Sequence, residues 1–236
     1  SFILDEMLID GGLAHSWRDG RAGLPAFQED YACLLLGLVE LYQADFDPRW
    51  LKEAEHLAGE MISLFLDRQG GGFFSSRESH ETPLVRSKSP TDGVTPSGNS
   101  AAALALARLG RLLGRQEFLD IARQTVQTFG QAAARAPRAF EHLLIALDYL
   151  ETPSQEIVLA GDPDSPEWAD LRSVTGALFL PWSILAFAAG QDDDPAPAKG
   201  KTAPSGRAAA YVCRDLACRA PVFTASDLEA ALTVRE

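Results

Sequence analysis

The chain has 236 residues, of which 46% are hydrophobic and 23% are charged, and these ordinary fractions exclude collagen-like, fibrous and wholly disordered proteins. Its 21 Lys and Arg residues against 33 Asp and Glu residues give a formal net charge of −12. Because a surface this acidic repels phosphate backbones and anionic headgroups, neither nucleic acid nor a membrane is predicted as a partner. Three cysteines are too few for a disulfide scaffold in a chain of this length.

The first residues, 1–8, have the pattern of the end of an amphipathic helix. They contain neither an initiator methionine nor the basic and apolar regions of a signal peptide. We therefore expect the chain to be a fragment of a longer protein, and we expect that protein in the cytoplasm.

Hydrophobic periodicity predicts helices through the first two-thirds of the chain. One apolar face recurs through residues 31–42. Asp47 and Pro48 then suit the N-cap and the first position of a helix whose apolar stripe runs over 50–66. The glycines at 70–72 end this helix and turn the chain into a short extended piece.

Three further helices are predicted, and either Ser97 or Asn99 can cap the first of them. Their apolar stripes lie at 102–113, 118–129 and 140–150. The short links within pairs predict antiparallel helical hairpins. Consecutive hairpins bury their apolar faces by stacking into a solenoid or by closing into a ring. The unequal, polar loops of this chain favour the ring, an α/α toroid.

After Thr152 and Pro153 the pattern changes to that of a small α/β unit. The predicted order is a strand at 156–162, a helix at 165–175, a strand at 182–187, a flexible loop at 191–206, a strand at 210–213 and a helix capped near 226–227. The predicted fold class is therefore mainly α, in two parts. Residues 1–152 form helical hairpins, the C-terminal half of a six-hairpin α/α toroid, and residues 153–236 form a small α/β subdomain.

Two adjacent carboxylates, Glu29 and Asp30, come just before Tyr31 and its helix. A carbohydrate site needs acids that transfer protons and aromatic faces that stack on sugar rings. Glu29 and Asp30 are therefore candidate catalytic residues, and Tyr31 and Trp17 are candidate stacking groups. The alternative is that the carboxylates only stabilise the N-terminus of the helix, as acidic residues there routinely do.

Other polar residues of two loops are candidate binding residues. Arg18 and Arg21 flank a Gly-containing turn beside Trp17, and Asp92, Ser97 and Asn99 belong to a loop that leads into a helix N-terminus. Free N–H groups at such a terminus favour anionic or hydroxyl-rich ligands. The alternative is a tight turn with a helix cap, and the Gly-Lys-Ser/Thr ending of a phosphate-binding loop is missing.

Histidines and cysteines supply no metal-binding motif, and no cofactor is predicted. His15 is the histidine of interest because it belongs to the Trp17 loop. Cys213 and Cys218 are separated by four residues, whereas thioredoxin-type pairs are separated by two. We expect them to be reduced structural thiols, with oxidation across a tight turn as the alternative. Cys33 lies in an apolar helix and is expected in the core.

Six motifs occur in order along nearly the whole chain: WRDGR (17–21), FQEDYA (27–32), DPRWL (47–51), GGGFF (70–74), DGVTPSGNS (92–100) and AYVC…CRAP (210–221). Together they resemble the spermatogenesis-associated protein 20-like family. The resemblance implies a longer protein with an N-terminal thioredoxin-like domain, a six-hairpin glycosidase-like toroid and a small α/β part. This chain would hold the later hairpins and the last part, so no redox activity is transferred to it.

The toroid that the resemblance implies is similar to those of sugar epimerases and glycosidases, which suggests a carbohydrate ligand by analogy of fold. The leading hypothesis is therefore that a funnel of the toroid binds, and acts on, a carbohydrate-like small molecule. The alternative is a non-catalytic scaffold that positions the thioredoxin-like domain for a protein client, which the scarcity of histidines favours. Half a ring leaves apolar helix faces exposed, so we also expect association with N-terminal segments of the same protein or with a second copy.

Overall fold

The computed structural model describes residues 2–9, 12–78, 85–214 and 217–233, and these are mainly helical, as predicted. The helices are α1 (Phe2–Glu6), α2 (Gln28–Asp45), α3 (Pro48–Phe65), α4 (Gly98–Leu113), α5 (Gln116–Arg135), α6 (Glu141–Glu151), α7 (Pro166–Ala177) and α8 (Ala225–Thr233). The strands are β1 (Leu8–Ile9), β2 (Gly12–Arg18), β3 (Arg21–Pro25), β4 (Gln155–Ala160), β5 (Ser183–Ala188), β6 (Ala209–Arg214) and β7 (Ala217–Cys218). Within these residues no helix is long and apolar enough to cross a bilayer.

Local capping residues set the starts of helices α3 and α4. The side chain of Asp47 accepts a hydrogen bond from Arg49 N, and Pro48 occupies the first turn of α3. Ser97 precedes α4, and its Oγ accepts from Ser100 N at 3.1 Å. Of the two predicted caps for α4, Ser97 is therefore the one used. Such caps satisfy N–H groups that the helix itself leaves unpaired.

The alanine-rich helix α4 lies at the centre of the helical part, where it contacts α2, α3, α5 and α6. Five of its residues are alanines with at most 1% of their surface exposed: Ala101, Ala102, Ala103, Ala105 and Ala107. Small side chains let neighbouring helices approach closely, which explains why α4 is buried on nearly every side. Consecutive helices pair as antiparallel hairpins, α2 with α3 and α4 with α5, whereas α2, α4 and α6 run parallel to one another.

The segment predicted as a loop around Trp17 is instead a strand hairpin. Strands β1, β2 and β3 form an antiparallel sheet in sequence order. The turn between β2 and β3 is made by Asp19 and Gly20, both with positive φ (53° and 78°). An Asp-Gly pair between two strands is a strong hairpin signal, because the left-handed conformation that this turn requires is easily adopted by these residues. The prediction of a loop was wrong because that signal was not used.

The second part of the chain contains a four-stranded sheet in the order β5-β4-β6-β7. Strand β4 pairs parallel with β5 and antiparallel with β6, and α7 forms the connection between the parallel strands, as predicted. The outer edge of β5 is covered by the end of α2. Leu185 N donates to Gln43 Oε1 at 3.0 Å and Phe187 N donates to Tyr42 Oη at 3.3 Å. Side chains of α2 thus accept hydrogen bonds from N–H groups at this edge, which would otherwise be free to pair with another strand.

Residues 191–206 are more ordered than the prediction of a flexible loop. Pro197 and Ala198 are buried, and their short 3-10 turn contacts α4, β4 and β5. Asp194 is also buried, and its carboxylate accepts from Ala189 N at 3.2 Å and Gly190 N at 2.9 Å. The polar and proline-rich composition concealed this packing because the buried atoms are few and their partners are distant in sequence.

The structure corrects two cysteine predictions. Cys33 is exposed rather than in the core, because it lies with Glu29 and Gly37 on the outward face of α2. Cys213 and Cys218 form a disulfide rather than two thiols. They lie directly opposite each other in the β6–β7 ladder, so the alternative that the sequence left open, oxidation of the pair, is the one found.

Candidate functional site

Helices α2, α4 and α6 begin at the same end of the molecule, and side chains tie their first turns together. Gln28 of α2 donates through Nε2 to the carbonyl of Gly98 at 3.0 Å. The carboxylate of Asp92 accepts from Ser97 N, before α4, and from His142 N, in α6, each at 2.8 Å. We call this end, together with the adjoining hairpin β2–β3, the N-terminal rim. The loops that carry most of the predicted site residues therefore meet at one end of the helices.

Asn99 lies inside the rim and bonds to its own chain. It is buried, its Oδ1 accepts from Phe73 N at 2.7 Å, and its Nδ2 donates to the carbonyls of Phe73 and Ser89 at 3.0 and 3.3 Å. The neighbouring Gly72 has φ 69°, and a Cβ there would lie 2.9 Å from the Phe129 ring. Asn99 thus fixes the glycine turn after α3, and the structure gives its amide no outward-facing group for a ligand.

The prediction that Tyr31 is a stacking group is wrong. Its ring is fully buried, and its hydroxyl accepts from Leu13 N at 2.9 Å and from Arg77 Nη2 at 3.1 Å. Burial raises the pKa of Tyr31, and the Glu60 carboxylate acts in the same direction. The side chain joins the hairpin to α2 and has no face open to a sugar.

His15 and Asp30 form a hydrogen-bonded pair at the surface of the rim. His15 Nδ1 lies 2.8 Å from Asp30 Oδ2, and the same oxygen accepts from Phe27 N at 2.8 Å. Since a carboxylate accepts at Nδ1, that nitrogen carries the proton in the neutral ring and Nε2 presents a lone pair. The His15 side chain is 39% exposed, so the ring is partly open to solvent. Asp30 both stabilises the start of α2, as one alternative predicted, and orients a histidine.

Glu29 and Asp30 do not form a pair of facing carboxylates. Neighbouring residues of a helix project about 100° apart, and Glu29 lies on the exposed side of α2. Cys33 follows one turn later. Partial burial, followed by the carboxylates of Glu29 and Asp30, raises the pKa of the Cys33 thiol. Glu29 is thus a separate, solvent-facing acid beside the His15–Asp30 pair.

Aromatic rings accompany His15 along one face of the hairpin. His15 and Trp17 are two residues apart on β2, so their side chains share a face of the strand. The Trp17 ring meets Phe2 edge-on at a centroid distance of 5.2 Å, and His15 meets Phe27 in the same way at 5.2 Å. Phe2 and Phe27 are both exposed. Neither ring was predicted as a site residue from the sequence, although Phe27 lies only two residues before Glu29.

Arg18 and Arg21 are not brought to this face. They are cross-strand partners at the tip of the hairpin, and Arg18 is on the opposite side of β2 from His15 and Trp17. The guanidinium of Arg18 lies 3.5 Å from the carboxylate of its neighbour Asp19, with both side chains largely exposed. The two arginines therefore extend from the tip into solvent.

His142 is the second histidine of the rim. Its ring is half-buried, and its Nε2 is enclosed without a hydrogen-bond partner among the described residues. Burial lowers the pKa of His142, and the nearby Asp92 carboxylate opposes this effect. A neutral ring is thus favoured. The described residues include no group of three or more His, Cys, Asp or Glu side chains that could hold a metal ion.

Two cavities lie at the other end of the parallel helices. One of about 280 Å³ includes Glu40, Arg108 and Arg172 in its lining, and another of about 580 Å³ includes Arg111 and Glu156. Both lie between the helices and the sheet of the second part. The His15–Asp30 pair of the rim is not part of the lining of either cavity.

No family model matches the chain. It is 31% identical over 211 residues to spermatogenesis-associated protein 20 of Rattus norvegicus and to that of Homo sapiens. An uncharacterized protein of Caenorhabditis elegans is 29% identical over 212 residues. The matches cover 86% of this chain and 26% of the two mammalian proteins, and 89% of this chain and 29% of the nematode protein.

Fold and site together describe a mainly helical protein in which paired helices precede a four-stranded sheet and a His–carboxylate pair stands at one rim. The family resemblance of the motifs is confirmed, since the chain is a relative of spermatogenesis-associated protein 20. It spans about a quarter of the length of these relatives.

Proposed function

We propose that the N-terminal rim binds a carbohydrate-like, hydroxyl-rich small molecule and exchanges protons with it through His15. The supporting observation is the 2.8 Å contact between His15 Nδ1 and Asp30 Oδ2, which leaves Nε2 directed away from the pair. A histidine held in one tautomer by a carboxylate is a suitable general base or acid near neutral pH. Asp30 is the positioning residue in this proposal, and Glu29 is a second acid on the exposed side of α2.

The arrangement favours proton transfer over glycoside hydrolysis. Most glycosidases need two carboxyl groups that flank the scissile bond, whereas Asp30 Oδ2 already accepts from His15 and from Phe27 N. The exposed rings of Phe2, beside Trp17, and of Phe27, beside His15, offer apolar faces of the kind on which sugar rings stack. We therefore propose isomerisation or epimerisation of a sugar derivative as the reaction class.

Substitutions at the rim test this proposal. The probes are panels of monosaccharides, sugar phosphates and nucleotide sugars, screened by thermal shift and for turnover with the unsubstituted chain. For a sugar that raises Tm or is converted, His15→Gln is expected to lower turnover about 100-fold or more, and Trp17→Ala to weaken binding. The matched control is His56→Gln, an exposed histidine on α3, which should behave as the parent. Unchanged turnover in His15→Gln would refute the assignment.

We propose further that the hairpins are part of an α/α toroid completed by additional helices of a longer protein. The parallel course of α2, α4 and α6, with α3 and α5 as antiparallel partners, is what an inner and an outer wall of such a ring require. Exposed apolar side chains remain on α2 and α6, namely Leu41, Ile145 and Leu147. The chain on its own should therefore pair with a second copy. Light scattering after size exclusion would test this, and a monodisperse monomer would contradict it.

A non-catalytic scaffold is the second candidate function. It is favoured by the inward bonding of four predicted site residues: Tyr31, Asp92, Ser97 and Asn99. In the longer protein, such a scaffold would position another domain for a protein client. The screen above separates the two candidates, because a scaffold predicts no sugar response in the parent chain. We also propose a cytoplasmic location for the chain.

A further inference from the structure

The hairpin β6–β7 carries a disulfide in an unusually local position. Cys213 and Cys218 are direct partners in the antiparallel ladder, with Cα atoms 3.9 Å apart and a sequence separation of five. Strand β7 has two residues and lies at the edge of the sheet. Beyond it, Arg219 N donates to the Val212 carbonyl at 3.2 Å. The bond therefore closes the tip of one hairpin and links no distant parts of the chain.

The two cysteines differ in their access to solvent. Cys213 is fully buried in β6, where it is also the partner of Glu156 of β4. Cys218 is exposed on β7. An incoming thiolate attacks one sulfur of a disulfide while the other sulfur leaves, so access decides which sulfur is attacked. Here solvent reaches Cys218, and Cys213 is on the protected side of the bond.

The disulfide is not what keeps β6 in the sheet. Strand β6 is paired with β4 over its whole length. On its other side, Ala210 and Val222 exchange two backbone hydrogen bonds, of 2.8 and 2.9 Å. A cross-link that closes so short a loop also removes little entropy from the unfolded chain. Reduction should therefore affect the hairpin tip and leave the rest of the sheet unchanged.

We propose that Cys213–Cys218 is a thiol–disulfide exchange site that is reduced by a dithiol entering at Cys218. One thiolate of the dithiol bonds to Cys218 Sγ, the Cys213–Cys218 bond breaks, and its electron pair passes to Cys213 Sγ. The second thiolate of the dithiol then attacks the dithiol's own bonded sulfur and releases Cys218. The dithiol ends as a disulfide, and its two protons end on Cys213 and Cys218. Arg214 and Arg219 adjoin the cysteines, and positive charge favours the departing thiolates.

The site of entry is tested with reduced glutathione on the full chain carrying Cys33→Ser, which removes the free thiol. Brief exposure is followed by alkylation, and peptide masses identify the modified cysteine. The expected product is a glutathione adduct on Cys218 together with a free thiol at Cys213. An adduct mainly on Cys213 would overturn the proposal, as would resistance of the folded chain to excess dithiothreitol.

Single substitutions provide the second measurement, again in the Cys33→Ser background. With Cys213→Ser, the remaining Cys218 should react with glutathione disulfide at least about tenfold faster than Cys213 does in the Cys218→Ser variant. Far-UV circular dichroism of the parent before and after dithiothreitol should superimpose. Equal rates for the two single variants, or unfolding on reduction, would show that the bond is a structural cross-link. The mapping on the unsubstituted pair remains decisive if either single variant fails to fold.

Discussion

The starts of α4 and α2 both carry polar side chains, but these side chains differ in what they contact. Before α4, Asp92 and Ser97 bond to N–H groups of the chain, and Asn99 holds the turn at Phe73. In the first turn of α2, Asp30 accepts a hydrogen bond from Phe27 N and also bonds to His15, whose ring remains partly exposed. Polar residues at the start of a helix can thus form hydrogen bonds within the chain, or they can hold a side chain that is accessible to a ligand. The difference lies in whether a bonded group keeps a free, accessible atom.

Asn99→Ala is expected to produce the largest effect and tests the internal role of the α4 start. It removes three hydrogen bonds and leaves the buried Phe73 N–H and C=O without their partner. The free energy of unfolding should fall by about 2–4 kcal/mol, measured by urea denaturation. Gln127→Ala, an exposed change on α5, is the control. A loss below about 0.5 kcal/mol would mean that the hydrogen bonds of Asn99 do not stabilise the start of α4.

Tyr31→Phe tests whether the hairpin is fastened to α2 through one hydroxyl. The change keeps the buried ring but removes the acceptor for Leu13 N and Arg77. We expect the free energy of unfolding to fall by about 1–2 kcal/mol. Tyr211→Phe, which loses a single more exposed bond to the Thr202 carbonyl, should cost less. Equal losses in the two variants would argue against a special role for Tyr31.

Asp30→Asn tests the two roles of the α2 start together, because Asp30 both caps the helix and bonds to His15. The amide can still accept from Phe27 N, but it loses the negative charge at the start of α2. The expected loss in the free energy of unfolding is about 0.5–1 kcal/mol. If the rim is not a catalytic site, neither the parent chain nor Asp30→Asn converts a sugar. If His15 is the proton carrier, turnover falls in Asp30→Asn while substrate binding changes little.

Asp67 provides a test of pH dependence in the turn that Asn99 holds. Its carboxylate accepts from Gly70 N and Gln69 N and pairs with Lys88. The N–H of Gly70 foremost, then Lys88 and Gln69, lowers the pKa of Asp67 from 3.8 to about 2. Stability that depends on this carboxylate is present above pH 4 and is lost as the pH falls toward 2. Asp67→Asn should therefore flatten the fall in Tm over that interval, and parallel curves would contradict the prediction.

The smallest effects are expected at the hairpin tip. Arg18→Ala and Arg21→Ala remove side chains that extend into solvent, so the free energy of unfolding should change by less than about 0.5 kcal/mol. Sugar binding should also be unchanged, since neither side chain lies on the face of His15. Weakened binding in either variant would show that the ligand reaches around the tip.

Features encoded by neighbouring residues were predictable from the sequence. Asp47 with Pro48, and Ser97, act within one helical turn of their own positions, so composition and spacing sufficed. Strand β4 and the succession of elements after it along the chain were also predictable, because a buried apolar run between turn residues is a local pattern.

Features that depend on distant pairing were not predictable in this way. The bond from Asp30 to His15 spans fifteen residues, and the burial of Tyr31 follows from where the hairpin packs. Neither feature can be predicted from the residues that are close in sequence. The Cys213–Cys218 pairing was within reach, but it required the hairpin to be identified first. Sequence reasoning thus found the location of the rim and misassigned several of the side chains within it.

Helix α2 reaches from the rim to the sheet, and this gives it a mechanical role. The step from Asp30 to Tyr42 is twelve residues, or roughly 18 Å along a rigid rod, and the far end is bonded to the amides of Leu185 and Phe187. A tilt of the rod at its first turn would be transmitted to those two amides. The rate at which the Leu185 and Phe187 amides exchange with deuterated solvent should therefore change when a ligand binds at His15.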